Sequence, residues 1–157
     1  MDNQVWMAEN LNFTPTSGNS WCYDDNASNC TTYGRLYDWN TALTVCPTGW
    51  HLPTSAEWGT LETSIVGSGT AGTKLKSATG WNSGGDIETD EFGFSALPGG
   101  RYDGGSFGNV GDYGYWWTAT EDDATYAYGR FMHYDRAGVY SPSRNKTDGL
   151  SVRCLQD

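Results

Sequence analysis

The sequence predicts an α+β domain. Two helical patterns lie in its first half, five short extended segments separated by glycine-rich turns fill the second, and an even number of cysteines supplies staples for a loop-rich chain. With 157 residues, one domain spanning 1–157 is expected. Nine Lys+Arg against nineteen Asp+Glu give a net charge of −10, which disfavours nucleic acid as a partner. Aromatic residues make up 15 % of the chain and charged residues only 18 %, a balance that fits neither disorder nor a coiled coil. No stretch approaches the roughly 18 apolar residues of a membrane span, and the start, Met1 to Trp6, lacks the regions of a signal peptide. An extended apolar segment directly after Met1 reads as a piece trimmed from a longer protein, with any export signal or anchor outside it.

In chain order, Tyr23 to Asn29 reads as a polar turn. Leu36, Trp39 and Leu43 stand three and four apart, which predicts a helix over 35–45 ending before Cys46-Pro47. Thr54 and Glu57 form a capping box, and Trp58, Leu61 and Ile65 supply the apolar face of the second helix. The Gly/Ser/Thr-rich stretch 67–73 reads as a surface loop. Extended segments are expected at 92–97, 115–120, 125–135, 137–142 and 149–155, with Trp116 and Trp117 in the core.

None of Cys22, Cys30, Cys46 and Cys154 lies in a C-x-x-C pair, so two disulfides are expected rather than a zinc or redox site. Three pairings are open. Chain order suggests Cys22 with Cys30 and Cys46 with Cys154, the second closing a loop worth about 4.7 kcal/mol on chain-entropy grounds. Disulfides in turn imply an oxidising compartment, secreted or cell-surface.

Catalytic chemistry has little to hold. His51 and His133 are far apart in sequence, no H-E-x-x-H motif or phosphate-binding loop occurs, and His51 reads as structural. Asp86, Glu88 and Asp90 alternate like the start of a calcium loop, but Glu91 stands where its sharp-turn glycine belongs and Leu97 where its bidentate glutamate belongs. No cofactor is expected, with structural calcium the one candidate. Sequons at Asn12, Asn26, Asn29 and Asn145 read as accidents of composition.

Six stretches carry a resemblance: Gln4–Leu11, Tyr33–Tyr37, Cys46–Thr54, Phe92–Gly100, Trp116–Glu121 and Ser151–Cys154. Together they resemble the Fibrobacter succinogenes major paralogous domain family, which is similar to the C-type lectin-like and formylglycine-generating-enzyme-like folds. The resemblance implies surface display and a C-type lectin-like fold. That means two helices flanking a small, mostly antiparallel sheet with long loops, stabilised by disulfides, one of them joining the first helix region to the last strand, in agreement with Cys46–Cys154. Formylglycine-generating enzymes use a late cysteine pair, and only Cys154 is late here, so no enzyme activity is carried over. The Glu-Pro-Asn and Trp-Asn-Asp signatures of calcium-dependent sugar binding are absent as well.

Segment 122–145, within a wider region of about 101–149, resembles the variable region of C-type-lectin-fold target proteins of diversity-generating retroelements. In these, asparagine codons are randomised at adenines and cannot become Trp, Met, Lys, Glu or Gln. A scaffold-like set (Ala124, Ala127, Tyr128, Arg130, Met132, Tyr134, Ala137, Val139) interleaves with an unpatterned one: Asp122, Asp123, Thr125, Tyr126, Gly129, Phe131, His133, Asp135, Arg136, Gly138 and Tyr140, followed by Pro142, Ser143, Arg144 and Asn145. Every unpatterned residue is of a reachable type, and the unreachable Met132 and Lys146 fall at scaffold positions. Strand alternation would place Tyr128, Arg130, Met132 and Tyr134 on one face and Phe131, His133 and Asp135 on the other. The expected function is non-enzymatic binding of a macromolecular ligand, protein or glycan, with Tyr126, Phe131, His133, Tyr140 and Arg144 as anchors. The alternatives are a fixed glycan- or fibre-binding adhesion module and a purely structural surface component.

Overall fold

The computed structural model describes residues 3–65, 68–85 and 88–157. Its elements are β1 (Ser20–Trp21), α1 (Ala27–Tyr33), β2 (Leu36–Tyr37), α2 (Trp39–Ala42), β3 (Trp50–His51), α3 (Ser55–Ile65), α4 (Ser68–Leu75), β4 (Gly99–Asp103), β5 (Ser106–Val110), β6 (Tyr113–Glu121), β7 (Tyr126–His133), β8 (Ser143–Asn145), β9 (Leu150–Ser151) and β10 (Leu155–Gln156). The class is α+β, as expected, and both disulfides form in the order the chain suggests, Cys22–Cys30 and Cys46–Cys154.

The sheet is larger than expected. Among the described residues, eight strands join in the path β1-β2-β9-β6-β4-β5, with β7 and β8 branching from β6, and β3 with β10 makes a separate ribbon. β6 is the hub. It pairs antiparallel with β7 along one edge and meets β4 and β9 in parallel on the other. Side-chain alternation along β6 divides the core. Trp116 packs with Trp58, Leu61, Leu75 and Met132 under α3 and α4, while Tyr115 and Trp117 join Tyr37, Trp39, Leu150 and Val152 on the opposite side. Each core tryptophan of β6 also finds an acceptor, Trp117 Nε1 donating to Tyr37 O at 2.7 Å and Trp116 Nε1 to Asn10 Oδ1 at 2.8 Å.

Several local expectations need correction. The helix over 35–45 shrinks to the single turn α2, because Leu36 and Tyr37 pair with Ser20–Trp21 and Leu150–Ser151, and Asp38 then caps a fresh start by accepting from Thr41 N at 2.8 Å. The turn at 23–29 contains the start of α1, with Asn26 as its cap. The loop expected at 67–73 is largely helix α4, Gly67 lying outside the described residues. Ala71 and Leu75 are fully buried, and Gly72 admits the 137–138 backbone so closely that a Cβ there would stand 2.4 Å from Gly138 O. Segments 92–97 and 137–142 form isolated bridges rather than strands, and 149–155 divides into β9 and β10. The hairpin β4–β5 went unanticipated because five glycines interrupt 99–108. The second helix and its capping box stand: Thr54 N donates to Glu57 Oε2 at 2.7 Å and Glu57 N to Thr54 Oγ1 at 3.2 Å.

The chain ends meet. Trp6 bridges Leu155, and Gln156 N donates to Val5 O at 3.0 Å. Beside them His51 lies between Asp157 at 2.7 Å and Glu57 at 3.0 Å. Partial burial opposes the imidazolium, but hydrogen bonds to Asp157 and Glu57 outweigh it and the pKa rises above 6.5. A raised folded pKa gives stability that is complete below the unfolded value and lost as the pH climbs through the folded one. His51→Gln should therefore cost more at pH 5.5 than at pH 8.5, by about 0.5 kcal/mol for so exposed a cluster. Equal losses in urea melts at the two pH values would refute this.

Candidate functional site

The register of β6 against β7 sets Tyr113 opposite His133, Tyr115 opposite Phe131 and Trp117 opposite Gly129. Period-2 alternation then sorts β7 as the sequence implied. Arg130 and Met132 are buried on the α3 side, whereas Phe131 and His133 emerge half-buried on the other. Tyr140 comes alongside through a two-way backbone bridge, Phe131 N to Tyr140 O at 2.9 Å and Tyr140 N to Phe131 O at 3.0 Å. The result is a contiguous aromatic cluster. Phe131 stacks on Tyr140 (4.8 Å), Tyr113 stacks on Tyr115 (5.3 Å), and His133 lies 4.2 Å from Tyr113. Sequence reasoning missed Tyr113 and Tyr115, although their spacing in phase with Trp117 was a usable strand signal.

The remaining candidates lie toward the two ends of β7. By the same alternation Tyr126, Ser143 and Asn145 are in phase with Tyr128 and Arg130, while Arg144, opposite Ala127, is in phase with Phe131 and His133. At the β7–β8 end, Asp122 accepts from Ser143 Oγ at 2.6 Å, and this bond together with one from Tyr128 holds its pKa below 3.8. Asp123 Oδ1 accepts from the amides of Thr125 and Tyr126, and Asn145 Oδ1 from Thr147, so these two side chains shape turns. Tyr126 is 43 % exposed there, opposite Asn145. At the other end, Asp135 bonds His133, and Arg136 extends over Tyr140. Pro142 is half-buried, its carbonyl accepting from Gly129 N. Gly129 and Gly138 are buried and present no side chain to the surface. Elsewhere within 122–140 burial follows the division in part: Ala127, Arg130, Met132 and Val139 are inside and Asp122, Asp123, Thr125, Tyr126, Asp135, Arg136 and Tyr140 outside, but Tyr128, Tyr134 and Ala137 are half-buried like Phe131 and His133, and Ala124 is exposed.

Three basic side chains outside the candidate set grip the turns that carry it. Fully buried Lys76 donates to the carbonyls of His133, Tyr134 and Arg136 at 3.0, 3.2 and 3.3 Å. Arg130, paired with Glu62 at 2.9 Å, reaches Ser55 O and Ser141 Oγ. Lys146, over the Trp39 ring, donates to Asp123 O at 2.7 Å and Ala124 O at 3.2 Å. These are charge-assisted bonds to backbone or to flanking residues, so most of the turn geometry is fixed without the exposed side chains.

Charge is distributed unevenly on this face. The guanidinium carbons of Arg144 and Arg101 lie 5.0 and 5.6 Å from the Tyr115 ring centre, and Arg101 pairs with Asp103 at 2.9 Å. Buried Asp148 has its pKa raised by desolvation and by Asp103, against the pull of both arginines. The acidic triplet weighed for calcium is divided. Asp86 lies outside the described residues, Glu88 pairs with Lys76 at 3.5 Å, and Asp90 accepts from Ser95 N and Oγ. No group of three metal-ligating side chains occurs among the described residues. Clefts of about 410 and 350 Å³ lie away from the aromatic face, beside Met7–Asn12 and beside Phe13 and Val45–Thr48.

These features define a disulfide-stapled α+β domain with an aromatic sheet face bordered by firmly held turns. Residues 1–156 match the profile of the Fibrobacter succinogenes major domain, and the chain belongs to that family. No curated protein and no solved structure matches it.

Proposed function

We propose that this is a non-enzymatic binding domain of C-type lectin-like architecture, secreted or displayed on the cell surface, whose face around 122–145 takes a macromolecular ligand. We propose further that this face is diversified, as in target proteins of diversity-generating retroelements. The observation supporting both is the grip of Lys76, Arg130 and Lys146 on the turns: apart from Asp123 and Asn145, whose side chains shape their own turns, exposed positions can change while the backbone that presents them is held from behind. Tyrosines with few rotatable bonds among short polar residues make a surface suited to varied partners. Disulfides support an oxidising compartment, and no described helix is long and apolar enough to cross a membrane.

Two experiments test this. Genomic sequencing should find a near-copy of the codons for 115–155 that differs at template adenines, beside a reverse transcriptase gene. Its absence would reduce the protein to a fixed adhesion module. A screen against displayed proteins and a glycan array should yield a ligand whose affinity falls about thirtyfold, or about 2 kcal/mol, in Tyr126→Ala/Tyr140→Ala, with little change in melting temperature. Unchanged affinity would move the site elsewhere. Phe131→Ala is a poorer probe because Phe131 packs against the core and its loss costs stability too.

A further inference from the structure

Arg144 differs from the other arginines. Arg35 donates to Thr14, Arg101 pairs with Asp103, Arg130 with Glu62 and Arg136 with Asp135, and Arg153 is saturated by carbonyls and Asn10. Among the described residues Arg144 has no hydrogen bond or ion pair, and its Nε is buried without an acceptor. A guanidinium carries five donors in a planar fork, and here the Nη donors, which are not buried, have no partner among the described residues either.

Its placement is nonetheless well defined. β8 sets Arg144 opposite Ala127, whose small side chain leaves room, and the guanidinium lies over Tyr115. That ring is 3 % exposed and its hydroxyl accepts from Asn109 Nδ2 at 3.2 Å. With Nε buried, the edge that this planar cation keeps for an incoming group is the one made by its two Nη atoms, and the group that matches two adjacent N–H donors is a carboxylate. Asp148 feels the charge of Arg144 but lies beyond ion-pair distance, and Asp103 is already taken by Arg101.

We propose that Arg144 on Tyr115 is the seat for an acidic side chain of a protein ligand; this rests on the reading of the surrounding surface as the binding face. A protein is favoured over an acidic sugar by the state of the neighbouring rings. Phe131 covers Tyr140 at an interplanar angle of 18° and Tyr113 covers Tyr115 at 10°, so the ring faces a sugar would stack on are partly spent on one another. Ring edges, hydroxyls and a free guanidinium remain, and these suit side chains.

The test is a titration followed through the Nε–H resonances of the arginines, using a blocked peptide with glutamates flanking a tyrosine, its glutamine counterpart, and a galacturonate oligomer. The glutamate peptide should shift the Arg144 resonance, and the glutamine peptide should not. Arg144→Gln, folded to the same melting temperature, should weaken binding about tenfold or more, and Arg136→Gln less than about twofold. Equal affinity in Arg144→Gln would overturn the seat, as would a response to galacturonate alone. Should Tyr126→Ala/Tyr140→Ala abolish binding of a screened ligand while Arg144→Gln leaves it intact, the binding face stands and the carboxylate seat falls.

Discussion

Replacing Cys46 and Cys154 by alanine is expected to lower stability by about 4 kcal/mol and the melting temperature by about 10 °C. The bridge spans 108 residues, and opening it releases a long loop in the unfolded chain. Cys154 is also fully buried against Val152 and Trp117, so a small void adds to the loss. Cys22–Cys30 spans only 8 residues, and its removal should cost about 2.5 kcal/mol on the same argument. Chemical denaturation of the two double mutants decides the matter: equal losses would show that loop length is not what makes the long bridge valuable.

Arg153→Met should cost about 3 kcal/mol or more. The Arg153 guanidinium is 1 % exposed, bonds Asn10 Oδ1 through Nε and Nη2, and reaches the carbonyls of Met7, Ala8, Phe94 and Ser95. Burial pulls its pKa from 12.5 to about 9, against Asp90 and Glu9, so it remains cationic at neutral pH. Methionine fills much of the space above Phe94 but leaves those acceptors without a donor. Arg153→Lys should recover little, since one ammonium cannot span acceptors that a planar fork reaches from both sides. Hydrogen exchange should show residues 7–10 and 94–95 loosening before the central sheet. A loss under about 1 kcal/mol would mean that water replaces the guanidinium easily.

Legibility in the sequence followed the range of the interaction. The capping box at Thr54 and the face Trp58–Leu61–Ile65 were readable because their partners lie within a turn or two. Leu36 and Trp39 carried the same spacing and misled, since Leu36 answers to Trp21 and Ser151 across the sheet. Helix α4 was invisible for the opposite reason: Ser, Gly and Thr are poor helix formers, and burial of Ala71 and Leu75 supplies what propensity lacks. Within the candidate face, the alternation of Arg130, Phe131, Met132 and His133 was legible from period alone. The clamps made by Lys76 and Lys146 were not, because accepting through a backbone carbonyl leaves no trace in the identity of the accepting residue.

The long disulfide also decides where mechanical load would travel. Tension on the two ends would peel Trp6 from Leu155 and Val5 from Gln156 bond by bond, because these neighbours run antiparallel from adjacent ends. Once the pull reaches Cys46 and Cys154 it passes through the sulfur bridge. Everything between them, including β4 to β9 and the aromatic face, lies outside the force path. To reach Cys46 the pull must first strip β1, α1, β2 and α2, so Tyr37 leaves the core and Trp39 leaves Lys146 before the sulfur bridge takes the load.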